Sequence, residues 1–150
     1  GSAVNVIYVN GGQSNDNSSF SINTVTGGVI RVYVTGGAQI ELDLSLSDGD
    51  WFYCAITRNS SSLCTLYAAK SGEDLNSTTF TRANSIANSS NKQIGRDTLT
   101  TRFYKNLIDD VRLYNKGLSA NEVKQNYNAG LSQHKVGSSF SNDFSSDYGN

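Results

Sequence analysis

The chain is poor in the residues that build metal and nucleophilic sites. Its 150 residues hold one His, two Cys, no Met and no Pro. A structural zinc site takes about four nitrogen or sulfur ligands, so one His and two Cys nearly exclude one. A Ser-His-Asp triad could draw only on His134, which lies in a polar stretch and reads as solvated. Charge of either sign is also scarce. Twelve basic residues face thirteen acidic ones, for a formal net charge of -1. A nucleic-acid binder shows a clustered basic surface, and none is present. No apolar run approaches a membrane span, and no apolar opening reads as a signal peptide. We expect neither membrane insertion nor a nucleic-acid partner. Gly1-Ser2 reads as a cloning scar, which fits the missing start Met.

Serine and asparagine are in excess, at 22 and 17, and the 8 Tyr outnumber the 6 Phe. Ser, Asn, Gly, Thr and Tyr suit exposed turns and half-buried strands. The patterning agrees. Val4 to Val9 and Phe20 to Val25 are strand candidates, separated by a polar loop, Gly11 to Ser19. Val29 to Thr35 alternates, with Ile30, Val32 and Val34 on one face and Arg31 and Tyr33 on the other. Gly36-Gly37 is a hairpin turn signal. Ile40 to Leu46 alternates strictly, with Glu41, Asp43 and Ser45 outward. Asp48-Gly49 is a turn. Trp51 to Thr57 and Leu63 to Ala69 form a hairpin around Arg58 to Ser62. Ser71 to Ser90 reads as an irregular connection with one short strand near Phe80. Gln93 to Gly95 and Arg102 to Tyr104 are short strands, and Leu107 to Tyr114 is the last strong one. Such spacing predicts an all-β sandwich. One helix follows. Ser119-Ala120-Asn121-Glu122 is a capping box, Leu118 and Val123 are placed as a hydrophobic staple, and Gly130 is placed to end it. Val123 and Tyr127 share the face that would hold it to the sandwich.

Cys54 and Cys64 face the same way as Ile56 and Leu66. Directly opposite each other they could bridge. In a register two residues longer they are diagonal neighbours about 7 Å apart, too far for a good disulfide. The reading leans to free, buried thiols. The sequons at Asn17, Asn59, Asn76 and Asn88 are what an Asn/Ser-rich chain yields by chance.

Two stretches resemble the laminin G-like branch of the concanavalin A-like lectin/glucanase superfamily. One is Asp48-Gly49-Asp50-Trp51 with its following hairpin to Leu66-Tyr67. The other runs from Ile94-Gly95-Arg96 through Asn106-Leu107-Ile108-Asp109-Asp110-Val111-Arg112-Leu113-Tyr114-Asn115 to Leu118-Ser119-Ala120-Asn121-Glu122-Val123. The likeness implies a jelly-roll sandwich with one short C-terminal helix. It assigns residues 3–130 to that domain and 131–150 to a polar, flexible or peripheral tail. The family often carries two histidines after the Trp, where Phe52-Tyr53 stand here. It also has further strands at the start, and its Ile-Asp-Asp-Val strand pairs with one of them. Only Ala3 to Asn10 is available for that. If those two strands do not pair, another chain should cover the edge, as a homo-oligomer or a neighbouring virion subunit. The ending Ser139 to Gly149 is similar to endings of phage virion proteins that carry such domains.

Enzymes of the superfamily that cut β-glucans carry Glu-x-Asp-x-x-Glu, two carboxylates about 5 Å apart. Here Glu41 and Asp43 match, but Leu46 stands at the third position, so we expect no hydrolysis. A sugar-binding module needs aromatic rings for pyranose faces and planar polar groups for hydroxyls. Arg31, Tyr33 and Tyr53 are the candidates, with Glu41 and Asp43 beside the first two and Trp51 beside the third. Trp51 reads better as core and Tyr33 also fits an ordinary strand surface. The expected function is non-catalytic binding of a carbohydrate or surface glycan, on a virion or other extracellular surface. The alternative is a virion structural, decoration or protein-interaction domain with no glycan ligand.

A metal is the remaining expectation. Phe52, Cys54, Ile56, Leu66, Val111 and Leu113 should be core. Parity then aims Asp109 inward, where a lone carboxylate is costly. Calcium, with oxygen ligands from Asp109 and from Asp16 in the Gly11 to Ser19 loop, would satisfy it. Backbone N–H groups or Arg96 could do so instead, and a bulge at Ile108 could turn Asp109 outward.

Overall fold

The computed structural model describes residues 4–11, 20–34, 38–59, 62–82, 92–96 and 102–131. Two antiparallel sheets form a sandwich with one helix. The larger has five strands in the order β4-β3-β2-β1-β8, from β1 (Val4–Asn10), β2 (Phe20–Val25), β3 (Val29–Val34), β4 (Ala38–Asp43) and β8 (Lys92–Ile94). The smaller has three, β5 (Phe52–Arg58), β6 (Leu63–Lys70) and β7 (Asn76–Thr81). The helix α1 covers Ala120–Leu131.

Alternation decides what each sheet buries. In β3, Ile30, Val32 and Val34 are buried and Arg31 and Tyr33 half-buried. In β6 the buried residues of one parity are Cys64, Leu66 and Ala68. These two rows meet in one core with Leu44, and Phe52, Cys54, Ile56 and Phe80 pack against it. At about 25 cal/mol per Å² of apolar area removed from water, that interface is the main stabilising term.

Strand ends have local causes. β4 stops at Asp43 and not at Leu46 as alternation alone suggests. Asp43 Oδ1 accepts from Ser45 N at 2.8 Å, and Ser45 takes φ +49°, an Asx-turn geometry incompatible with a strand. Leu44 and Leu46 stay near the core because their N–H groups donate to Gly28 O at 3.3 and 3.4 Å. Gly28 has φ +78°, and a Cβ there would overlap the Leu46 backbone, so the turn at 26–28 demands glycine.

The cysteine hairpin has a longer register than either considered from sequence. Arg58 faces Cys64, and Cys54 faces Ala68. The thiols sit on one face but four residues apart along the ladder, about 13 Å. Both are free, and burial pushes the Cys54 thiol up to about 12.

The short strand expected near Phe80 is present and longer than expected, running over Asn76–Thr81. The larger correction concerns Leu107 to Tyr114, which is not a strand. Asp110 has φ +53°, a left-handed kink in mid-segment. Val111 and Leu113, expected in the core, are 49% and 71% exposed. Nor does β1 pair with this segment. Its neighbours are β2 along its length and β8 at Tyr8, Val9 and Asn10. Arg102 to Tyr104 contributes only a bridge between Phe103 and Arg96.

The helix begins as the capping box requires. Ser119 N and Oγ donate to Glu122 Oε2 at 2.7 and 2.9 Å, and Glu122 N donates back to Ser119 Oγ at 3.3 Å. Gly130 lies within its last turn and does not end it. Val123 and Tyr127 are buried. The Tyr127 hydroxyl lies 2.6 Å from Glu73 O and 3.2 Å from Lys70 O, to which it can donate, fixing the helix to the β6–β7 turn.

Candidate functional site

Because β3 buries Ile30, Val32 and Val34, the residues between them are forced onto the outer face of the five-stranded sheet. Register extends this into rows across three strands. Arg31 stands between Asn23 of β2 and Glu41 of β4, and Tyr33 between Ser21 and Gln39. Parity therefore puts Ser21, Asn23, Arg31, Tyr33, Gln39 and Glu41 on the outer face, but Ser21 and Asn23 are buried, so the accessible groups are Arg31, Tyr33, Gln39 and Glu41. Arg31 Nε donates to Glu41 Oε1 at 2.6 Å, both side chains keeping partial exposure. That pair fixes the guanidinium plane beside the Tyr33 strand position. Asn23 is 3% exposed, its Nδ2 donates to Ser21 Oγ at 3.0 Å, and its Oδ1 has no partner among the described residues. The β1 side of this face is closed, with Val6 and Val9 fully buried. The β3–β4 side is open, with Gln39 and Glu41 exposed. The result is a ledge of planar polar groups and one tyrosine ring.

Asn23, Ser21 and Gln39 escaped the sequence reading. Their signal was the alternation in Phe20 to Val25, and the parity Gln39 shares with Glu41.

Tyr53 does not join this ledge. It alternates with Cys54 and Ile56, which face the core, so it lies on the outer face of the other sheet. There its ring contacts Tyr127 of α1, centroids 5.5 Å apart, and burial pushes its hydroxyl up to about 12. Arg31 and Tyr33 thus come together with Glu41, while Tyr53 belongs under the helix on the opposite side of the sandwich. Trp51 is half-buried next to that region.

Glu41 is tied to Arg31, and Asp43 holds the turn to Ser45. Leu46, at the position of the second catalytic carboxylate in the glucanase pattern, is half-buried and packs against the core. No nucleophile and acid/base pair is formed by this strand.

Asp109 does not point into the core. It is exposed, and its Oδ1 accepts from Asp110 N at 2.7 Å. The left-handed Asp110 breaks the parity that would have aimed it inward, so the burial cost that suggested a cation does not arise there. Asp16 lies outside the described residues. Among the described residues no three His, Cys, Asp or Glu side chains group as metal ligands.

The laminin G model of the concanavalin A-like lectin/glucanases superfamily matches residues 1–124. The chain belongs to that superfamily. No curated protein and no solved structure matches it. Laminin G-like domains are in general non-catalytic binding modules, and the family supports a binding module here. No helix among the described residues is long and apolar enough to cross a membrane.

Proposed function

We propose that the protein is a non-catalytic carbohydrate-binding module displayed on a virion or another extracellular surface. The observation that carries this reading is the ledge in which Arg31 and Glu41 stand in one row and Tyr33 and Gln39 in the next. Sugar hydroxyls are held by planar polar groups, and a pyranose face by an aromatic ring. The ledge offers both on rigid strands, so little ordering cost accompanies binding. Arg31 and Tyr33 are the residues we assign to ligand contact. Tyr53 holds the helix. A carbohydrate reading also fits the absence of a carboxylate pair on β4, since a lectin has no need of one.

A glycan array with the purified chain tests it, followed by titration of any hit against Tyr33→Ala and Arg31→Ala. Each variant should weaken binding by about tenfold or more, the loss of one ring stack or charge-assisted hydrogen bond. An array without a hit, or a hit indifferent to both substitutions, overturns the assignment. The second reading is a virion decoration or protein-interaction domain with no glycan ligand. The exposed Leu107 and Leu113 favour it, and a blank array together with binding to a neighbouring virion subunit would select it.

A further inference from the structure

The inner face of the five-stranded sheet is sealed over one half only. Ile30, Val32 and Val34 of β3 are buried there. Phe20 and Ile22 of β2 share that face, as does Tyr8, which pairs with Ile22, yet all three are half-buried. Ile94 of β8, opposite Tyr8, is 51% exposed. The rings of Tyr8 and Phe20 lie together, their centroids 5.4 Å apart. A groove of about 1160 Å³ opens over these side chains, bounded by β5 and by the segment 104–118. That segment is seated at the end of β5, where Gly117 lies so close to Arg58 O that a Cβ would overlap it. Small-molecule pockets run to about 300–1,000 Å³, are mostly apolar, and fix their ligand with a few convergent polar groups.

One end of this groove is cationic. Phe52, Cys54 and Ile56 of β5 pack on the core, so Arg58, of the same parity, also faces inward. Arg82 follows β7, two residues after Phe80 on the core, and is only 8% exposed. Both arginines line the groove beside Cys64, which stands between Arg58 and Phe80 in the ladder. The half-buried Arg58 donates through Nη2 to Arg82 O at 3.3 Å and to Ser62 Oγ at 3.4 Å, both neutral acceptors. Burial, and then the charge of Arg58, pull the Arg82 guanidinium below its ordinary value. Two guanidiniums turned into an apolar space are costly, and charge-assisted bonds to an anion offset that cost. The other charges lining the groove are already engaged or exposed. Asp50 pairs with Lys70, Asp110 with Arg112 and Lys116 with Glu122, while Lys105 and Asp109 are exposed on the segment 104–118.

We propose that the groove binds a single-chain carboxylic acid, with its carboxylate on Arg58 and Arg82 and its alkyl chain over Phe20, Tyr8 and Ile22. The acid supplies an anion to the inward-facing arginines, and its chain takes out of water the apolar side chains that the sandwich leaves half-covered. This site lies on the opposite face of the sheet from Arg31 and Tyr33, so it is independent of glycan binding there.

Calorimetric titration of the full chain with laurate, kept below its micelle concentration, tests this. Laurate should bind at one molecule per chain. Lauryl alcohol and dodecyltrimethylammonium carry the same chain on a neutral and a cationic head, and each should bind about tenfold more weakly or worse. Arg58→Gln should weaken laurate by about tenfold or more and leave lauryl alcohol unchanged. No binding of laurate, equal affinity for the three head groups, or laurate affinity unchanged in Arg58→Gln overturns the proposal. An equal loss of laurate and lauryl alcohol in that variant overturns it too, since Arg58 would then shape the groove without holding the head. The head-group comparison uses the wild-type chain, so it decides the question even where Arg58→Gln does not fold.

Discussion

Leu66 offers the sharpest measurement of how the sandwich is held. It is fully buried at the centre of β6, pairs with Ile56 on one side and Thr78 on the other, and packs in the same core as Ile30, Val32 and Val34. Leu66→Ala removes the branched end of the side chain from a site with no exposure. The lost transfer free energy and the cavity left behind together cost about 3 kcal/mol, within the ~2.7–5 range for such deletions. A chain of this length moves about 2–4 °C per kcal/mol, so its melting temperature should fall about 6–12 °C. Urea unfolding followed by the fluorescence of Trp51, the only tryptophan, should show a lower midpoint with an unchanged slope, since the surface exposed on unfolding is nearly the same. Thr65→Ala, one residue away on the other face, should cost about 0.5 kcal/mol or less. A loss below ~1 kcal/mol for Leu66→Ala, or a larger loss for Thr65→Ala, would refute the facing of β6 and with it the placement of the core.

Gly28→Ala should destabilise the chain by more than about 1 kcal/mol, from the positive φ and the clash with the Leu46 backbone, and a neutral melt would contradict the close approach of Leu46 to this turn. Glu122 is held down to about 2 by its bond to Lys116 and by the Ser119 N–H and hydroxyl. A lowered carboxyl stabilises the fold above its unfolded value near 4.5, and the contribution fades as pH falls towards about 2. The stability difference between wild type and Glu122→Gln should therefore shrink across that window. A difference independent of pH contradicts the cap electrostatics. For calcium, EDTA-treated protein should melt higher on addition of Ca²⁺ if a cation sits at Asp109, and Asp109→Asn should abolish the rise. An unchanged melting temperature ends that idea.

What was legible from sequence is what is settled within a few residues. The hairpin of β3 and β4 fixes its own register, so the alternation around Arg31 and Glu41 was enough to place them on one face, and the structure puts them 2.6 Å apart. The capping box at Ser119 is a contact at three residues' range and appears as read. Tyr53 shows the opposite case. Its parity was right, but parity does not say what lies above a face, and its cover is Tyr127, an element far along the chain. Leu107 to Tyr114 failed for a related reason. Its alternation is strand-like, yet a strand exists only through a neighbour that accepts its backbone. Both edges of β1 near Tyr8 are already taken by β2 and β8. With no ladder to enforce extension, Asp110 relaxes into a left-handed turn, and the parity that aimed Asp109, Val111 and Leu113 inward is lost with it. The polar ledge rests on three consecutive paired strands and owes nothing to that segment.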